Sequence, residues 1–182
     1  MTRRRHESII PLSHDHREAL ALAFRLLHPS PPGPATAMTP PSTPASRAAE
    51  VLEFFTTHLA GHFRAEEDVL FPAIAAHLSP HESTAMLLRD LVADHRQLEA
   101  LRDRIANALS ASERDGETVL TLPLRNFADT LERHVRREER ELFVEFSTII
   151  TDAEATILAP RIRDVLSARP PAACRTDGQS KM

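Results

Sequence analysis

Trp and Tyr are absent from this chain of 182 residues, and its aromatic side chains are eight Phe. Without Tyr, tyrosyl-radical chemistry of the ribonucleotide-reductase kind is excluded, and the usual side chains for long electron-hopping routes are missing. Glycine is also scarce, with 4 residues. Few glycines and few β-branched runs argue against an all-β sandwich and favour helices.

Cysteine is nearly absent as well, since the single Cys174 lies in a polar tail. One cysteine excludes a disulfide scaffold and a Cys-based zinc or iron–sulfur site. No apolar run approaches the ~20 residues that span a bilayer. The basic start at residues 3–5 is not followed by the apolar segment of a secretory signal. Because the net charge is −4, non-specific nucleic-acid binding is disfavoured. We therefore expect a cytoplasmic protein with no nucleic-acid or membrane partner.

Apolar residues recur at spacings of three and four along four segments, which predicts amphipathic helices over about residues 9–28, 46–77, 80–109 and 123–150. Pro72 is expected to kink or break the last turn of the second helix. A fifth, short helix is predicted after the capping residue Thr151, interrupted at Pro160. The segment at 110–117 is predicted to be a loop.

Half of the 14 prolines lie between Pro29 and Pro44. Because proline removes a backbone donor and blocks helix formation, residues 29–45 are predicted to form an extended surface loop, either disordered or acting as a lid. The expected layout is an N-terminal arm at 1–8, a bundle at 9–150 that contains this loop, and a short helix with a flexible tail at 151–182.

Each of the four long helices places a histidine where the periodicity calls for an apolar residue. In the second and fourth helices a glutamate follows four residues later, on the same face. Buried carboxylates need compensation, since an unpaired one costs several kcal/mol or becomes neutral. Six such ligands exceed the four of a tetrahedral zinc site and fit two first-row ions that share both glutamates. The candidate metal ligands are His16, His62, Glu66, His95, His134 and Glu138.

Other polar residues near these positions have alternative predicted roles. His58 lies one turn before His62, and it is either a ligand, a group that contacts a ligand, or a half-buried polar residue. Glu67 and Glu139 lie about 100° around the helix from the ligand glutamates. We expect these two to pair with solvent or with nearby arginines, namely Arg64, Arg136 and Arg140.

The run HFRAEEDVLFP at residues 62–72 resembles the signature of the hemerythrin-like, or HHE cation-binding, domain family. Three other segments match the remaining parts of that pattern, and the resemblance covers about residues 8–147. They are LSHDHREAL at 12–20, DHRQL at 94–98 and HVRREERELF at 134–143.

The resemblance implies an all-α, up-down-up-down four-helix bundle, here followed by the short fifth helix. It also implies a non-haem di-iron centre, with two iron ions joined by an oxo or hydroxo bridge. The chain departs from the oxygen carriers: Glu99 stands four residues after His95, where they have a second histidine. Glu138 stands four after His134, where they place an Asp at five. The pattern therefore resembles the four-His, two-Glu branch, which is associated with oxygen or redox sensing, nitric-oxide response, iron handling and repair of iron centres.

Three functions follow as expectations. The first is a protein that binds or senses O2, NO or peroxide. The second is enzyme-like: an iron donor for damaged clusters, or a centre that reduces peroxide or NO. The third is a structural bundle whose site is empty or holds zinc. A ferritin-like site is disfavoured, because such sites use Glu-x-x-His pairs and more carboxylates. The sequence indicates no particular protein partner.

Overall fold

The computed structural model describes residues 6–29, 43–79 and 82–168. These ranges form five helices and no strand, as the sequence predicted. They are α1 (Ile10–Leu27), α2 (44–75), α3 (Ser83–Asp115), α4 (121–149) and α5 (Asp152–Ser167). Single 3-10 turns precede α1, at Glu7–Ile9, and α4, at Glu117–Leu120.

Two of the helices contain wider π turns. In α2 the α-helical segments Pro44–Phe54, Ala60–Ala65 and Phe71–Ala75 are separated by π turns at Phe55–Leu59 and Glu66–Leu70. In α4 a π turn at Glu138–Leu142 separates Thr121–Arg137 from Phe143–Ile149. Each wide turn is continuous with the helix on either side, so α2 and α4 each remain one rod.

The helix ends follow local chemistry. Thr43 and Ser46 form a reciprocal capping box at the start of α2. Thr151 and Glu154 form another at the start of α5, as predicted. At the end of α3, Gly116 has φ +80°, a conformation that glycine adopts without a Cβ clash.

Three details of the helix prediction were wrong. Helix α3 extends to Asp115 instead of ending near residue 109, because 110–115 contains no breaker and the Ser110 and Ser112 hydroxyls bond back to helix carbonyls. Its first turn begins at Ser83, although the side chain of Glu82 does accept a hydrogen bond from the Ser79 N–H. Helix α5 runs through the exposed Pro160 without interruption.

Polar contacts show that neighbouring helices run antiparallel, since residue numbers rise on one helix as they fall on the other. Between α3 and α4 the pairs are Asp90–Arg137, Asp94–Arg133 and Gln97–Thr130. Between α1 and α2 they are Asp15–His62, Glu18–His58 and Arg25–Glu50. With α2 packed against α3 and α1 against α4, the four long helices form the up-down-up-down bundle.

The core consists of two apolar clusters separated by a polar layer. One cluster contains Leu22, Val51, Phe55, Leu98, Phe127 and Leu131. The other contains Leu12, Leu70, Ile74, Leu91, Phe146 and, from α5, Ile162. Along every long helix the buried His or His–Glu pair lies between residues of the two clusters, so packing on both sides fixes the height of the polar layer.

Some of the predicted layout falls outside the described residues. Most of the proline-rich loop at 29–45 does, as do the first five residues of the arm and the tail from 169 onward. Within the described part of the expected arm, Ser8 is buried. No helix there combines the length and apolar character needed to cross a membrane.

Candidate metal centre

The six sequence-selected ligands meet in the polar layer at the middle of the bundle. Every one of these side chains is at most 2% exposed. On the α1–α2 side, His16 Nε2 lies 3.0 Å from His62 Nε2 and 3.0 Å from Glu138 Oε2. The Nε2 atom of His62 also lies 3.2 Å from Glu66 Oε1. Two imidazole nitrogens and two carboxylate oxygens therefore converge on one point.

A matching set forms on the α3–α4 side. His95 Nε2 lies 3.3 Å from Glu66 Oε2, and His134 Nε2 lies 3.3 Å from Glu138 Oε2. Within each set of four residues the candidate ligand atoms all lie within 4.8 Å of one another. Both glutamates belong to both sets, and Glu66 presents opposite oxygens to the two sides. Each set of four could hold a metal ion, and the two sets share both glutamates.

The unsatisfied atoms of this layer fit a metal. Both carboxylate oxygens of Glu66 and of Glu138 are buried without a hydrogen-bond partner among the described residues, and so are the Nε2 atoms of His95 and His134. An orphaned buried polar atom costs free energy, and a buried charge costs more. Cations at the two positions would satisfy these atoms, and a mixed imidazole–carboxylate donor set suits first-row transition metals.

Glu66 and Glu138 are each the first residue of a π turn. The amide of Phe71 bonds to the carbonyl of Glu66, and the amide of Phe143 bonds to the carbonyl of Glu138. Such turns are rare overall and are found frequently at functional sites. In α2 the wide turn replaces the break expected at Pro72, whose ring would crowd the carbonyl four residues earlier. No proline follows Glu138 closely, so a proline does not explain the second turn.

Each of the four converging histidines has a carboxylate beside its outer ring nitrogen, Nδ1. Each carboxylate comes from the preceding helix of the ring α1–α2–α3–α4–α1 and directly adjoins a candidate ligand in sequence. The Nδ1–carboxylate distances are 3.2 Å for His62–Asp15, 2.7 Å for His95–Glu67, 3.8 Å for His134–Asp94 and 2.8 Å for His16–Glu139. We call Asp15, Glu67, Asp94 and Glu139 the carboxylate ring.

The carboxylate ring corrects the prediction for Glu67 and Glu139. Glu139 bonds to His16, while Glu67 bonds to His95 and also to Arg96, a residue that the prediction did not include. Carboxylates on the outer nitrogen fix the orientation of a metal-binding imidazole and raise its basicity. A sequence signal for them did exist, because every member stands next to a candidate ligand.

His58 lies apart from the centre. Its Nε2 atom is 3.2 Å from Glu18 Oε2, its Nδ1 atom is 2.8 Å from Thr57 Oγ1, and its ring stacks on Phe54. It belongs to neither set of converging ligands. Of the three predicted roles, these contacts fit that of a half-buried polar residue for His58.

The buried charges perturb one another strongly. Burial by itself would lower the pKa of His62, but the carboxylates of Glu66 and Asp15 outweigh it and raise the pKa to about 10. Burial would raise the pKa of Glu66, yet His62 and His95 hold it well below its usual range. The pKa values of His16 and His95 are also raised by their carboxylate neighbours, against the effect of burial. Without metal, the carboxylates therefore favour the protonated forms of His16, His62 and His95.

A family model for the hemerythrin HHE cation-binding domain matches residues 8–146. The chain belongs to the hemerythrin family. The match includes all six converging residues and the whole carboxylate ring, and it leaves α5 outside the hemerythrin domain. No curated protein and no solved structure matches the chain. Buried His and Glu groups compatible with a metal site are thus combined with a cation-binding domain of the hemerythrin family.

The metal-free protein is expected to lose stability as the pH rises from about 6.5 to about 10. The His62 pKa is 6.5 in the unfolded chain and about 10 in the folded one. Its protonated ring therefore stabilises the fold fully below the lower value, and this contribution disappears as the pH passes the higher one. Tm measured by circular dichroism on chelator-treated protein checks this. His62→Gln should flatten the dependence, and a Tm that rises over the same range would contradict the assignment.

Glu67→Gln is expected to lower metal affinity about tenfold or more, the size of effect usual for a group that orients a metal-binding histidine. The substitution removes the negative charge 2.7 Å from His95 Nδ1 but keeps the shape of the side chain. Affinity is measured by competition with a chelator. Glu99→Gln is the matched control, because Glu99 bonds to the same Arg96 and belongs neither to the carboxylate ring nor to the converging ligands. Equal affinities for the two variants would show that Glu67 does not act on the centre.

Proposed function

We propose that the chain is a non-haem di-iron protein that binds or senses O2, NO or a related redox-active molecule in its bundle core. The observation that carries the proposal is the sharing of Glu66 and Glu138 between two sets of ligands. A single ion would leave two of the four buried imidazoles without a role. Two ions use all six residues, in the four-His, two-Glu pattern.

In this proposal His16 and His62 hold one ion, His95 and His134 hold the other, and both glutamates bridge them. Each ion then has two imidazoles and two shared carboxylates, which leaves positions for an exogenous molecule. Iron in such a site supplies reversible electron exchange and affinity for small diatomic ligands.

Phenylalanine rings line the layer and fix the imidazole planes. Phe63 stacks on His95 with ring centroids 3.9 Å apart, and Phe143 stacks on His16 at 5.3 Å. These rings exclude water and give the centre apolar walls, which favours a small uncharged ligand over a hydrated ion. The lack of Tyr and Trp removes the usual radical carriers. Both features support binding or sensing more than long-range radical catalysis.

Anaerobic loading with Fe(II), followed by metal counting and exposure to O2 and then NO, tests the proposal. Because the chain has no Trp or Tyr, the near-ultraviolet charge-transfer bands of oxidised iron should dominate the protein spectrum. Azide or NO should change those bands while the far-ultraviolet circular dichroism stays constant. A zinc site gives the opposite result, since Zn²⁺ is d¹⁰ and redox-silent. Protein that is colourless and redox-silent after isolation from iron-replete cells, with its metal retained, would refute the di-iron proposal.

Glu66→Ala and Glu138→Ala are each expected to lower the iron count from two towards one or zero, because each removes a shared ligand. Glu66→Gln and Glu138→Gln keep the volume of the side chain and give the same test if the alanine variants do not fold. Glu132→Ala is the control, as Glu132 pairs with Arg136 on the outer face of α4. Two irons retained in both glutamate variants would exclude the bridging assignment.

A further inference from the structure

A cleft of about 600 Å³ lies where α1, α2 and α5 meet. Asp15 contributes to its wall from α1, Gly61 and Arg64 from α2, and Arg163 from α5. None of the six converging ligands lines it, so it is separate from the candidate metal centre. Its volume is in the range of sites for small organic molecules.

Two guanidinium groups face this cleft without a carboxylate partner in the part of the chain that the structure describes. Arg64 donates only to backbone carbonyls, those of Ala60 at 3.2 Å and Ala168 at 3.5 Å, and Arg163 makes no ion pair there. By contrast, Arg96 and Arg133 near the centre are each paired with a carboxylate. Two unpaired cations at one concave site in a chain of net charge −4 indicate an anionic ligand.

Neither the backbone conformation nor the packing of α2 requires the glycine in the cleft wall, Gly61. Gly61 has helical backbone angles, and a Cβ built there would meet no atom within 4 Å. Glycine destabilises a helix interior relative to alanine, and neither packing nor a positive φ requires it here. What the missing side chain does provide is open space in the cleft, directly beside His62.

The carboxylate that lines the cleft, that of Asp15, already contacts a histidine. Asp15 Oδ2 lies 3.2 Å from His62 Nδ1. His58, which also lines the cleft, has its Nε2 atom 3.2 Å from Glu18 Oε2. Leu166 and Pro11 add apolar surface. The cleft therefore combines cationic groups that can form charge-assisted hydrogen bonds with a surface suited to a short carbon chain.

We propose that this cleft binds a small organic anion with one or two carboxylate or phosphate groups, held by Arg64 and Arg163. The site is a property of the surface between α1, α2 and α5, and it is independent of which metal the core holds.

Isothermal titration calorimetry of the purified protein with succinate and with glycerol 2-phosphate, at constant ionic strength, tests the proposal. Saturable binding of one molecule per chain is expected for at least one of them, and comparing the two distinguishes a carboxylate ligand from a phosphate ligand. Neutral succinamide should not bind. Binding should persist after the metal is removed by a chelator. Failure of all these anions to bind, or loss of binding on chelation, would overturn the proposal.

Three substitutions locate the site. Arg163→Ala and Arg64→Ala should each weaken binding about tenfold or more, the effect of one charge-assisted contact. Arg161→Ala is the matched control, because Arg161 is exposed on the same helix but does not line the cleft. Unchanged affinity in both Arg64 and Arg163 variants, or an equal loss in the Arg161 variant, would show non-specific attraction.

Filling the cleft gives a test that does not alter charge. Gly61→Leu should abolish binding, while Gly61→Ala, which adds only the Cβ that meets no neighbour, should reduce it much less. Both changes favour helix over glycine, so circular dichroism should show a folded protein. Full binding by a folded Gly61→Leu variant would contradict the assigned location.

Discussion

Two carboxylates with no exposure to solvent, those of Glu66 and Glu138, lie at the centre of a bundle whose ends are apolar. Water cannot stabilise them there, so the protein has to. Four imidazoles surround the pair at 3.0 to 3.3 Å. In the metal-free protein the neighbouring carboxylates raise the pKa of His16, His62 and His95, and bound cations would take the place of those protons. Both arrangements need all four long helices, because each helix contributes one of the four histidines.

The carboxylate ring extends this constraint outward. Every long helix carries its own inward ligand and, next to it in sequence, a carboxylate that serves the histidine of the following helix. The arrangement closes on itself, because Glu139 of α4 serves His16 of α1. Arg96 and Arg133 then bond to two of the four carboxylates at the surface. Carboxylates and basic side chains therefore alternate from the core to the solvent. Rotation of any long helix would break the histidine–carboxylate contacts that it makes with the helices on both sides.

The features that follow from the helical period of the sequence were predicted correctly. The features that depend on contacts between different helices were missed. The histidine of each helix was visible because it occupies a position that the apolar pattern reserves for a core residue. The same pattern gave the number of helices, their order and the cap at Thr151. It could not show that Glu67 and Glu139 reach across to another helix, since a helical wheel places them only relative to their own axis. The π turns were missed because the pattern was interpreted with a constant period of 3.6 residues per turn. In addition, no proline marks the π turn that begins at Glu138.

The closure between the first and last long helices also has a consequence for biosynthesis. His16 and Glu139 are 123 positions apart in the chain, so α1 is synthesised well before the end of α4. Its partners Glu138 and Glu139 are made only after α1, α2 and α3 have been synthesised. A nascent chain thus has His16, His62, Glu66 and His95 but neither set of four ligands in full. Both sets of candidate ligands are complete only after α4 has been translated and has docked beside α1.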